Sequence, residues 1–573
     1  MNNKLYGFGT ASQIVIAHAY KYSYFSLEYD GEKIDESQID VSLNILNSAA
    51  AMAKDELDRI INTHKKQFNK EAFDILSGQL ELLKDPEFIP KIQNKIIMEH
   101  CSPKRAIYEI TTAYAGALER IDNPYWQERS VDIRDAGIRL QKMLIKNISS
   151  PTDRHTSPFL LVTGELSASE VAKLDTELVL GFATSKGSPT SHCAIFAKIL
   201  NIPAVLGIPN LLESVSDGDI LILDGEHGEI IVSPDEHTVA EYQKRAIALQ
   251  NEYTLYVKSA KTPAQTSDGK SIIVEANIGT IAEIEQANIN DEARVGLFRT
   301  EWQCLVKGYI MNENELTEEY VYAAKQLAPP GYLTIRTLDI GGDKVPDGGP
   351  FPHENNPALG YRGIRRSLGD KDGFKRQLRA ILRASAYGDV RILLPMISTA
   401  EEILEARECL AELYAEFEAS KQSFDKNIKL GIMIETPAAA IASNILANHV
   451  DFFSIGTNDL IQYLMSADRE NSRVSKLCSY RQPAVIHLLD HIIKNANAAG
   501  ISLSLCGDMA SDVTVLPILI GLGIDTISVP TPLIGKIKQH IRTLDSCKCK
   551  ALITQIKRAQ TEAEVSALLN KFQ

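Results

Sequence analysis

The chain of 573 residues is predicted to be an α/β protein: an α/β domain with a helical-bundle insert, followed by a C-terminal (β/α)8 TIM barrel. Three observations predict this fold class. Apolar positions recur at helical spacing between residues 34 and 146. From residue 157, short apolar runs are broken by glycine, proline and polar turns, which is typical of a compact α/β domain. After residue 271, eight strand-like runs mostly alternate with helical segments, as a TIM barrel requires.

The composition is that of an ordinary globular protein, with 44% hydrophobic and 23% charged residues. Its 60 basic residues are outnumbered by 74 acidic ones, so the net charge of -14 provides no field that would attract nucleic acid. We therefore exclude nucleic acid as a partner. No run of about 18 apolar residues occurs, and the N-terminus lacks the order of a secretory signal. These features predict a cytoplasmic protein without membrane insertion.

The first part of the chain is predicted to hold one α/β domain that a helical subdomain interrupts. Residues 3–25 have strand character, and joining them to the strands after residue 157 is more economical than an isolated hairpin. Between them, Asp85-Pro86, Ser102-Pro103 and Asn123-Pro124 each place a capping side chain before a proline, which marks three helix starts. The predicted boundaries are an α/β domain at 1–30 and 147–234, a helical subdomain at 31–146, a linker helix and exposed linker at 235–270, and the barrel at 271–573.

Charged and polar residues directly follow the predicted barrel strands. In a TIM barrel the carboxyl ends of the strands meet on one face, and the chemistry of the fold takes place there. A single strand that ends in a charge is ordinary solvation, whereas five such strands with arginines, carboxylates and a thiol favour a shared site. The residues concerned are Arg299, Glu301, Arg336, Asp339, Glu435, Asn458, Asp459 and Cys506.

The arginines predict a small polyanionic ligand. Arg299, Arg336 and Arg469 would give the site three permanent positive charges, and Arg362 could add a fourth. Guanidinium groups bind phosphate and carboxylate groups in a bidentate manner, which is why a small polyanion is expected.

Two carboxylates at the ends of adjacent strands, Glu435 and Asp459, could jointly hold a divalent cation. Mg2+ is favoured because it accepts few carboxylates together with substrate oxygens. The alternative for either carboxylate is a salt bridge at the strand end. Cys506 begins a turn after an apolar strand, where a thiol is often a small buried hydrophobe, so its residue type leaves its role open.

A second constellation lies in KGSPTSHCAIFAKILNIPAVLG, residues 186–207. Thr190 or Ser191 can cap an amphipathic helix whose first turn contains His192. The unpaired N–H groups and the positive dipole end of such a helix would stabilise a phosphoryl group on that histidine. The alternative is a solvated helix end, and composition does not single out His192 among 12 histidines.

The chain resembles enzyme I of the bacterial phosphoenolpyruvate-dependent sugar phosphotransferase system nearly from end to end. TSHCAIFAKILNIPAVLG is similar to the phosphohistidine segment of that family, and ERSVDIRDAGIRL resembles its last N-terminal helix. The blocks that resemble its phosphoenolpyruvate barrel are GLFRTE, TIRTLDIGGDK, NPALGYRGIR, IETPAAA, DFFSIGTNDLIQY, ADREN and LCGDMA. These blocks occur in the family order at compatible spacing, so the resemblance is specific.

The resemblance implies that His192 accepts the phosphoryl group of phosphoenolpyruvate and passes it to a histidine of the carrier protein HPr, in the first step of sugar uptake. It implies that Cys506 protonates the leaving enolate and that Glu435 and Asp459 bind Mg2+. It also implies that the helical insert docks HPr and that the barrel forms a homodimer. The implied phosphoenolpyruvate ligands are Arg299, Arg336, Asn458, Asp459 and Arg469, with Arg362 as a further candidate.

The chain departs from the family pattern at three places. Gly187-Ser188-Pro189 stands where the family usually has Gly-Gly-Arg, which removes a cation beside the predicted phosphoryl acceptor. Ser12-Gln13-Ile14 replaces the usual Ser-Pro-Gly, and the last strand, TISVPTPLI, is also atypical. The first two changes lie in the predicted phosphohistidine domain, so a different transfer rate or partner preference is expected.

Three other functions fit part of the sequence. Pyruvate phosphate dikinase and phosphoenolpyruvate synthase share the phosphohistidine and barrel parts, but 191 residues without a glycine-rich phosphate loop precede His192, which disfavours ATP chemistry. A regulatory paralogue without turnover would explain Pro189 and Gln13 but not the intact barrel set. A barrel lyase with an accessory domain would leave the phosphohistidine-like segment without a purpose.

Overall fold

The computed structural model describes residues 3–11, 13–63, 70–121, 124–145, 156–188, 191–200, 202–288, 294–301, 311–327, 329–341, 354–469, 471 and 473–572. Contacts divide the chain into two compact units, Met1–Tyr253 and Thr254–Gln573. Among the helices that these residues form, none is both long and apolar enough to cross a lipid bilayer.

The first unit is built on an eight-stranded mixed sheet. Its strands are β1 Asn3–Tyr6, β2 Phe8–Gly9, β3 Ile14–Tyr22, β4 Phe159–Thr163, β5 Val179–Thr184, β6 Ala204–Leu206, β7 Ile220–Asp224 and β8 Glu229–Val232. They are arranged in the order β1-β8-β7-β3-β4-β5-β6-β2. Strand β3 joins the two halves, because it pairs in parallel with β4 and antiparallel with β7. The N-terminal residues therefore share a sheet with the strands after residue 157, as predicted.

The helical insert follows β3, and its helices confirm the prediction made from the spacing of apolar residues. Its long helices are Ile39–Thr63, Lys70–Lys84, Phe88–Glu99, Pro103–Glu119 and Pro124–Leu144. Ser102 caps the fourth helix by accepting a hydrogen bond from the N–H of Arg105 at 3.0 Å. Asp85 Oδ1 accepts the N–H of Phe88 at 3.0 Å, whereas Asn123 lies outside the described residues.

The remaining helices of the first unit are short, apart from the last one. They are Ala168–Val171, His192–Ile199, Leu211–Ser214 and Glu236–Ala260, and the last helix runs across the division between the units. One apolar core joins the insert to the sheet: Leu57 and Leu76 of the insert belong to the same buried cluster as Phe182 of β5 and Phe196 of the His192 helix. The insert is therefore packed firmly against the segment that contains His192.

The second unit contains a closed barrel of eight parallel strands. They are β10 Ser271–Ile278, β11 Val295–Arg299, β12 Leu333–Arg336, β13 Val390–Leu394, β14 Lys429–Ile434, β15 Phe452–Gly456, β16 Ser502–Cys506 and β17 Thr526–Pro530. Strand β10 pairs in parallel with both β11 and β17, which closes the barrel. All eight predicted strands are present, and the predicted fold class is confirmed. Near-continuous valine, isoleucine and leucine suit these strands because they are buried on both faces.

Helices surround this barrel. They are Ile281–Asn288, Glu313–Gln326, Ile364–Gly369, Lys371–Ser385, Ala400–Ala419, Pro437–Ile441, Ser443–Leu446, Thr457–Met465, Pro483–Ala499, Asp508–Ser511, Leu516–Leu522, Ile534–Thr543, Ser546–Ile556 and Glu562–Phe572. In Lys371–Ser385 the buried side chains of Phe374, Leu378 and Ile381 recur every three or four residues. This spacing gives the helix one apolar face toward the strands.

The segment predicted to be an exposed linker has local structure of its own. Strand β9, Ala264–Gln265, pairs antiparallel with the start of β10. The Asp268 carboxylate accepts the N–H of Ser546 at 2.9 Å and so ties the following turn to the second unit. Residues 264–270 thus pack on the barrel, while the predicted domain boundary at 235–270 stays a prediction.

Candidate active site

A cavity of about 190 Å3 opens at the carboxyl ends of β11, β12, β14, β15 and β16. Eight polar residues that the sequence predicted from strand-end positions or from the arginine set line it together: Arg299, Glu301, Arg336, Glu435, Asn458, Asp459, Arg469 and Cys506. Leu297, Met433, Gly456, Thr457 and Gly507 complete the lining. The sequence-predicted shared site therefore exists as one cavity on the barrel face where catalytic residues of this fold are found.

Arg336 lines the cavity and is buried, with 4% of its surface exposed. Its guanidinium group forms a short ion pair with Glu301 and a second one with Asp339, at 3.4 Å between Nη1 and Oδ2. Burial lowers the pKa of the Arg336 guanidinium, but these carboxylates outweigh that effect and raise the pKa above its usual range. The positive charge at this position is therefore permanent.

Arg362 is placed behind the cavity lining, with 1% of its surface exposed. Its Nη2 donates to Asp339 Oδ2 at 3.0 Å and to Asp459 Oδ2 at 3.4 Å. Gly363, at φ +59°, permits this turn, because a Cβ there would lie 2.8 Å from the Met396 side chain. Arg362 thus contacts two carboxylates of the site directly, and its predicted contact with substrate stays a prediction.

Glu435 and Asp459 lie side by side on adjacent strand ends, and both are almost fully buried. Glu435 Oε1 accepts the N–H of Met396 at 2.6 Å. A Cβ at Gly456 would lie 2.9 Å from Glu435 Oε2, so the glycine leaves space beside this oxygen. Burial and the charges of Asp459 and Asp339 together raise the pKa of Glu435 to about 8, against the opposing effect of Arg336 and Arg362. The oxygen donors suit a hard divalent cation.

Cys506 also lines the cavity, with 3% of its surface exposed. Its Sγ donates to the carbonyl of Ile455 at 3.4 Å, and the Thr457 hydroxyl donates to the Cys506 carbonyl at 2.7 Å. Burial raises the pKa of the Cys506 thiol to about 11, despite the opposing effect of Arg299. The group is therefore a protonated thiol at neutral pH rather than a thiolate.

Asn458 is held in place by the turn that follows Cys506. Its Oδ1 accepts the N–H of Asp508 at 2.8 Å. Gly507 adopts φ +96°, and a Cβ there would lie 2.2 Å from the Thr457 hydroxyl oxygen and 2.7 Å from Asn458 Oδ1. Only glycine can occupy this position without displacing two residues that line the cavity.

His192 belongs to the first unit and opens the helix His192–Ile199. Ser191 is the N-cap and accepts the N–H of Ala194 at 3.4 Å, whereas Pro189 and Thr190 lie outside the described residues. The first turn of such a helix would present the histidine to solvent, and this expectation is wrong, since only 8% of its surface is exposed. The core shared by the insert and the sheet is the reason, because it covers this end of the helix. His192 Nδ1 faces Asp132 Oδ1 at a distance of 3.8 Å.

The sequence interpretation missed several residues of the two sites. In the barrel, Met396 contributes a backbone N–H and Thr457 a hydroxyl, and neither position has a distinctive residue type. In the first unit it missed Asp132, although Asp132 and Arg139 are polar residues on the buried side of an amphipathic helix. Buried charges of this kind are rare unless they are paired, and that pattern is the signal that could have found them.

Three sequence families match successive parts of the chain. Residues 6–129 match "PEP-utilising enzyme, N-terminal", residues 156–228 match "PEP-utilising enzyme, mobile domain", and residues 255–546 match "PEP-utilising enzyme, PEP-binding domain". Together with the barrel and its arginine-lined cavity, these matches define the chain as a PEP-utilising enzyme.

Curated relatives named phosphoenolpyruvate-protein phosphotransferase align with the whole chain. The relative from Priestia megaterium is 35% identical and that from Listeria innocua 36% identical, each over 100% of both chains. This chain belongs to the phosphoenolpyruvate-protein phosphotransferase family, and the resemblance to enzyme I predicted from the motifs is confirmed. A solution NMR structure of Enzyme I (nEIt) matches 43% of this chain and 99% of its own at 33% identity, with a TM-score of 0.38.

Proposed function

We propose that this chain transfers the phosphoryl group of phosphoenolpyruvate to its own His192 and then to a histidine of the phosphocarrier protein HPr, releasing pyruvate, as the first step of sugar uptake. The observation that carries the proposal is the cavity in which Arg299, Arg336 and Arg469 converge with three carboxylates and a thiol. Full-length similarity to proteins named phosphoenolpyruvate-protein phosphotransferase supports the same reaction. This similarity favours the proposed reaction over the three alternatives considered from the sequence: a dikinase, a regulatory paralogue and a barrel lyase.

Substrate binding is proposed to depend on charge neutralisation. Phosphoenolpyruvate carries a carboxylate and a phosphate, and Arg299, Arg336 and Arg469 can bind both groups through bidentate hydrogen bonds. Asn458 and Asp459 complete the proposed ligand set beside them. Arg362 supports this set from behind through its contact with Asp459.

Glu435 and Asp459 are proposed to hold Mg2+. When bound, the ion neutralises the charge of the phosphate and of the enolate oxygen that departs from it. Phosphoryl transfer needs alignment and charge stabilisation more than covalent participation by the barrel, so rigid arginines and carboxylates suit the reaction.

The proposed reaction has a simple bond balance. A ring nitrogen of His192 attacks phosphorus with its lone pair, and the bond between phosphorus and the enol oxygen breaks. The electron pair of that bond leaves with the enolate, which then takes a proton at its terminal carbon to become pyruvate. Cys506 is the proposed proton donor, and its high thiol pKa supports this because the proton is present throughout the physiological range.

The resemblance to enzyme I carries three further proposals: HPr is the carrier, the chain acts as a homodimer through its barrel, and it works in the cytoplasm. The helical insert is the proposed HPr dock. Val41, Ile45 and Met52 support this role, because they are exposed apolar side chains on the first insert helix at a spacing that puts them on one face.

Radiolabelled phosphoenolpyruvate tests the proposed function directly. With Mg2+ present, we expect acid-labile label on the purified protein, and peptide mapping should locate it on the peptide that contains His192. Addition of HPr should then discharge the label while pyruvate accumulates. Label derived from ATP in the absence of phosphoenolpyruvate would instead support a dikinase, and absence of label with no pyruvate formed would end the proposal.

Replacing Cys506 by alanine is expected to slow pyruvate release about 10²–10⁴-fold, the range lost with a general acid. The affinity for phosphoenolpyruvate should change little, because the arginines and carboxylates remain. Steady-state pyruvate formation and equilibrium binding measure the two effects separately. Cys409→Ala is the matched control, since Cys409 is equally buried in the helix Ala400–Ala419 and does not line the cavity. Unchanged turnover in Cys506→Ala would contradict the acid role.

The affinity for Mg2+ is expected to fall as the pH decreases below about 8, by up to about tenfold per pH unit. The pKa of Glu435 is raised to about 8, so the group binds a proton at neutral pH that the cation must displace. Calorimetric titrations between pH 6 and pH 9 in buffers of different ionisation enthalpy would measure both the affinity and the released proton. A constant affinity over that range would contradict the assignment of Glu435 as a ligand.

A further inference from the structure

The imidazole of His192 faces two carboxylates of the helical insert. Asp132 Oδ1 lies 3.8 Å from His192 Nδ1, and both side chains are at least nine-tenths buried. Asp135 follows three residues later on the same helix, Pro124–Leu144, and is partly buried, close enough to the same imidazole for the two charges to interact. A carboxylate that faces Nδ1 favours the tautomer with the proton on that nitrogen, because its negative charge attracts the N–H group.

Asp132 is itself held in position by a second contact. Arg129 Nη1 donates to Asp132 Oδ2 at 3.3 Å, which leaves Oδ1 directed toward His192. Gly78 on the facing insert helix leaves room for this position of the guanidinium group, since a Cβ there would lie 2.5 Å from Arg129 Nη1. The chain of contacts therefore runs from Arg129 through Asp132 to His192, and Gly78 leaves space for the Arg129 side chain.

Asp135 belongs to a parallel chain of contacts. Gln79 Nε2 donates to the Asp135 carboxylate at 3.2 Å, and Arg139 Nη2 donates to Gln79 Oε1 at 3.4 Å. Burial raises the pKa of Asp135 to about 7, while His192 and Arg139 lower it and Asp132 raises it. Partial protonation of Asp135 at neutral pH reduces its repulsion of Asp132 one helical turn away.

We propose that Asp132 is the positioning residue of His192: it keeps the proton on Nδ1 and presents Nε2 as the phosphoryl acceptor. The inference rests on the proposed function and adds a residue on the helical insert to that site. The Nε2 lone pair attacks phosphorus while the Nδ1 proton stays in place. The positive charge that the ring acquires is balanced by the Asp132 carboxylate. When the carrier histidine attacks phosphorus, the bond to Nε2 breaks and its electron pair returns to the ring, so no proton has to be exchanged.

Other charged groups surround this pair. Arg129 and Arg139 come from the helix of Asp132 itself, and Glu170 comes from the short helix Ala168–Val171. Glu170 forms an ion pair with Lys142, so its charge is already balanced. Glu165, in the loop after β4, also lies near this helix, since its charge raises the pKa of Cys193, the residue after His192. Asp132 is the carboxylate within ion-pair distance of the imidazole in the described part of the first unit.

Asp132→Asn tests the inference, because it keeps the shape of the side chain and an acceptor for Arg129 but removes the charge. We expect labelling of His192 from phosphoenolpyruvate to slow about 10–100-fold, the loss found when the partner that orients a metal-ligating histidine through its other ring nitrogen is replaced. Asp132→Glu should restore part of the rate. Heteronuclear NMR of the ring nitrogens should find Nδ1 protonated in the unmodified protein and a shift toward the Nε2-protonated tautomer in Asp132→Asn.

Asp55→Asn is the matched control, since Asp55 is an exposed carboxylate on the first insert helix. Equal labelling rates and equal ring tautomers in Asp132→Asn and the unmodified protein would overturn the inference while leaving the proposed function intact. An Nε2-protonated ring in the unmodified protein would overturn it as well. If the unmodified protein takes no label, the proposed function fails, and the NMR measurement still decides whether Asp132 sets the tautomer.

Discussion

Replacing His192 by glutamine is expected to abolish incorporation of label from phosphoenolpyruvate, because the amide has no nitrogen lone pair that can attack phosphorus. Binding of phosphoenolpyruvate and Mg2+ should remain, since the residues proposed to bind them line a cavity in the second unit. Scintillation counting of the isolated protein measures the label, and calorimetry measures binding. Loss of label with retained binding would assign the acceptor role to this one side chain.

The control for this experiment is His227→Gln. His227 belongs to the same unit, is well exposed and contacts Asp224 at 3.0 Å through Nδ1, so it resembles His192 in having a carboxylate partner. It should take no label in the unmodified protein, and its replacement should leave labelling unchanged. Label that persists in His192→Gln and maps to another peptide would contradict the proposed acceptor.

Replacing Arg336 by methionine is expected to reduce turnover by about 10²–10³-fold, the loss measured when one preorganised donor to developing charge is removed. It should also lower the free energy of unfolding of the second unit by about 3–5 kcal/mol, the cost of breaking a buried ion pair. Arg336 pairs with both Glu301 and Asp339, and without it these buried carboxylates would face each other beside Glu435. Urea titration and pyruvate formation measure the two effects.

Arg379→Met is the matched control for the stability effect. Arg379 pairs with Glu416 across two outer helices and is partly exposed, so its loss should cost no more than about 1 kcal/mol. Added Mg2+ should recover part of the stability of Arg336→Met, because the ion would reduce repulsion among the remaining carboxylates. Equal stability of the two variants would contradict the proposed importance of Arg336 for the barrel face.

The barrel and its cavity could be predicted from the sequence because their determinants are local. Each barrel strand is a short apolar run, and parallel strands bring their carboxyl ends to one face whatever the details of packing. Arg299, Glu435 and Cys506 therefore converge on one cavity as their positions in the sequence predict. Because the strand ends meet on one face, the residue types found there also indicate the kind of ligand: several arginines indicate a polyanion.

Other features depend on contacts between residues that are distant in the chain. Asp132 approaches His192 across 60 positions because the insert packs on the sheet through a shared apolar core. Arg362 is predicted from the sequence as a further substrate-binding arginine, whereas its hydrogen bonds to Asp339 and Asp459 join residues that are 23 and 97 positions away.

The sequence by itself thus determined the fold class, the face of the barrel that holds the chemistry and most of the side chains there. Periodicity and strand ends are properties of consecutive residues. The tertiary structure decided which ring nitrogen of His192 faces a carboxylate and which carboxylates Arg362 contacts. It also decided how far burial shifts the pKa values of Glu435 and Cys506. These depend on dehydration and on distances between separate elements, which no local pattern specifies.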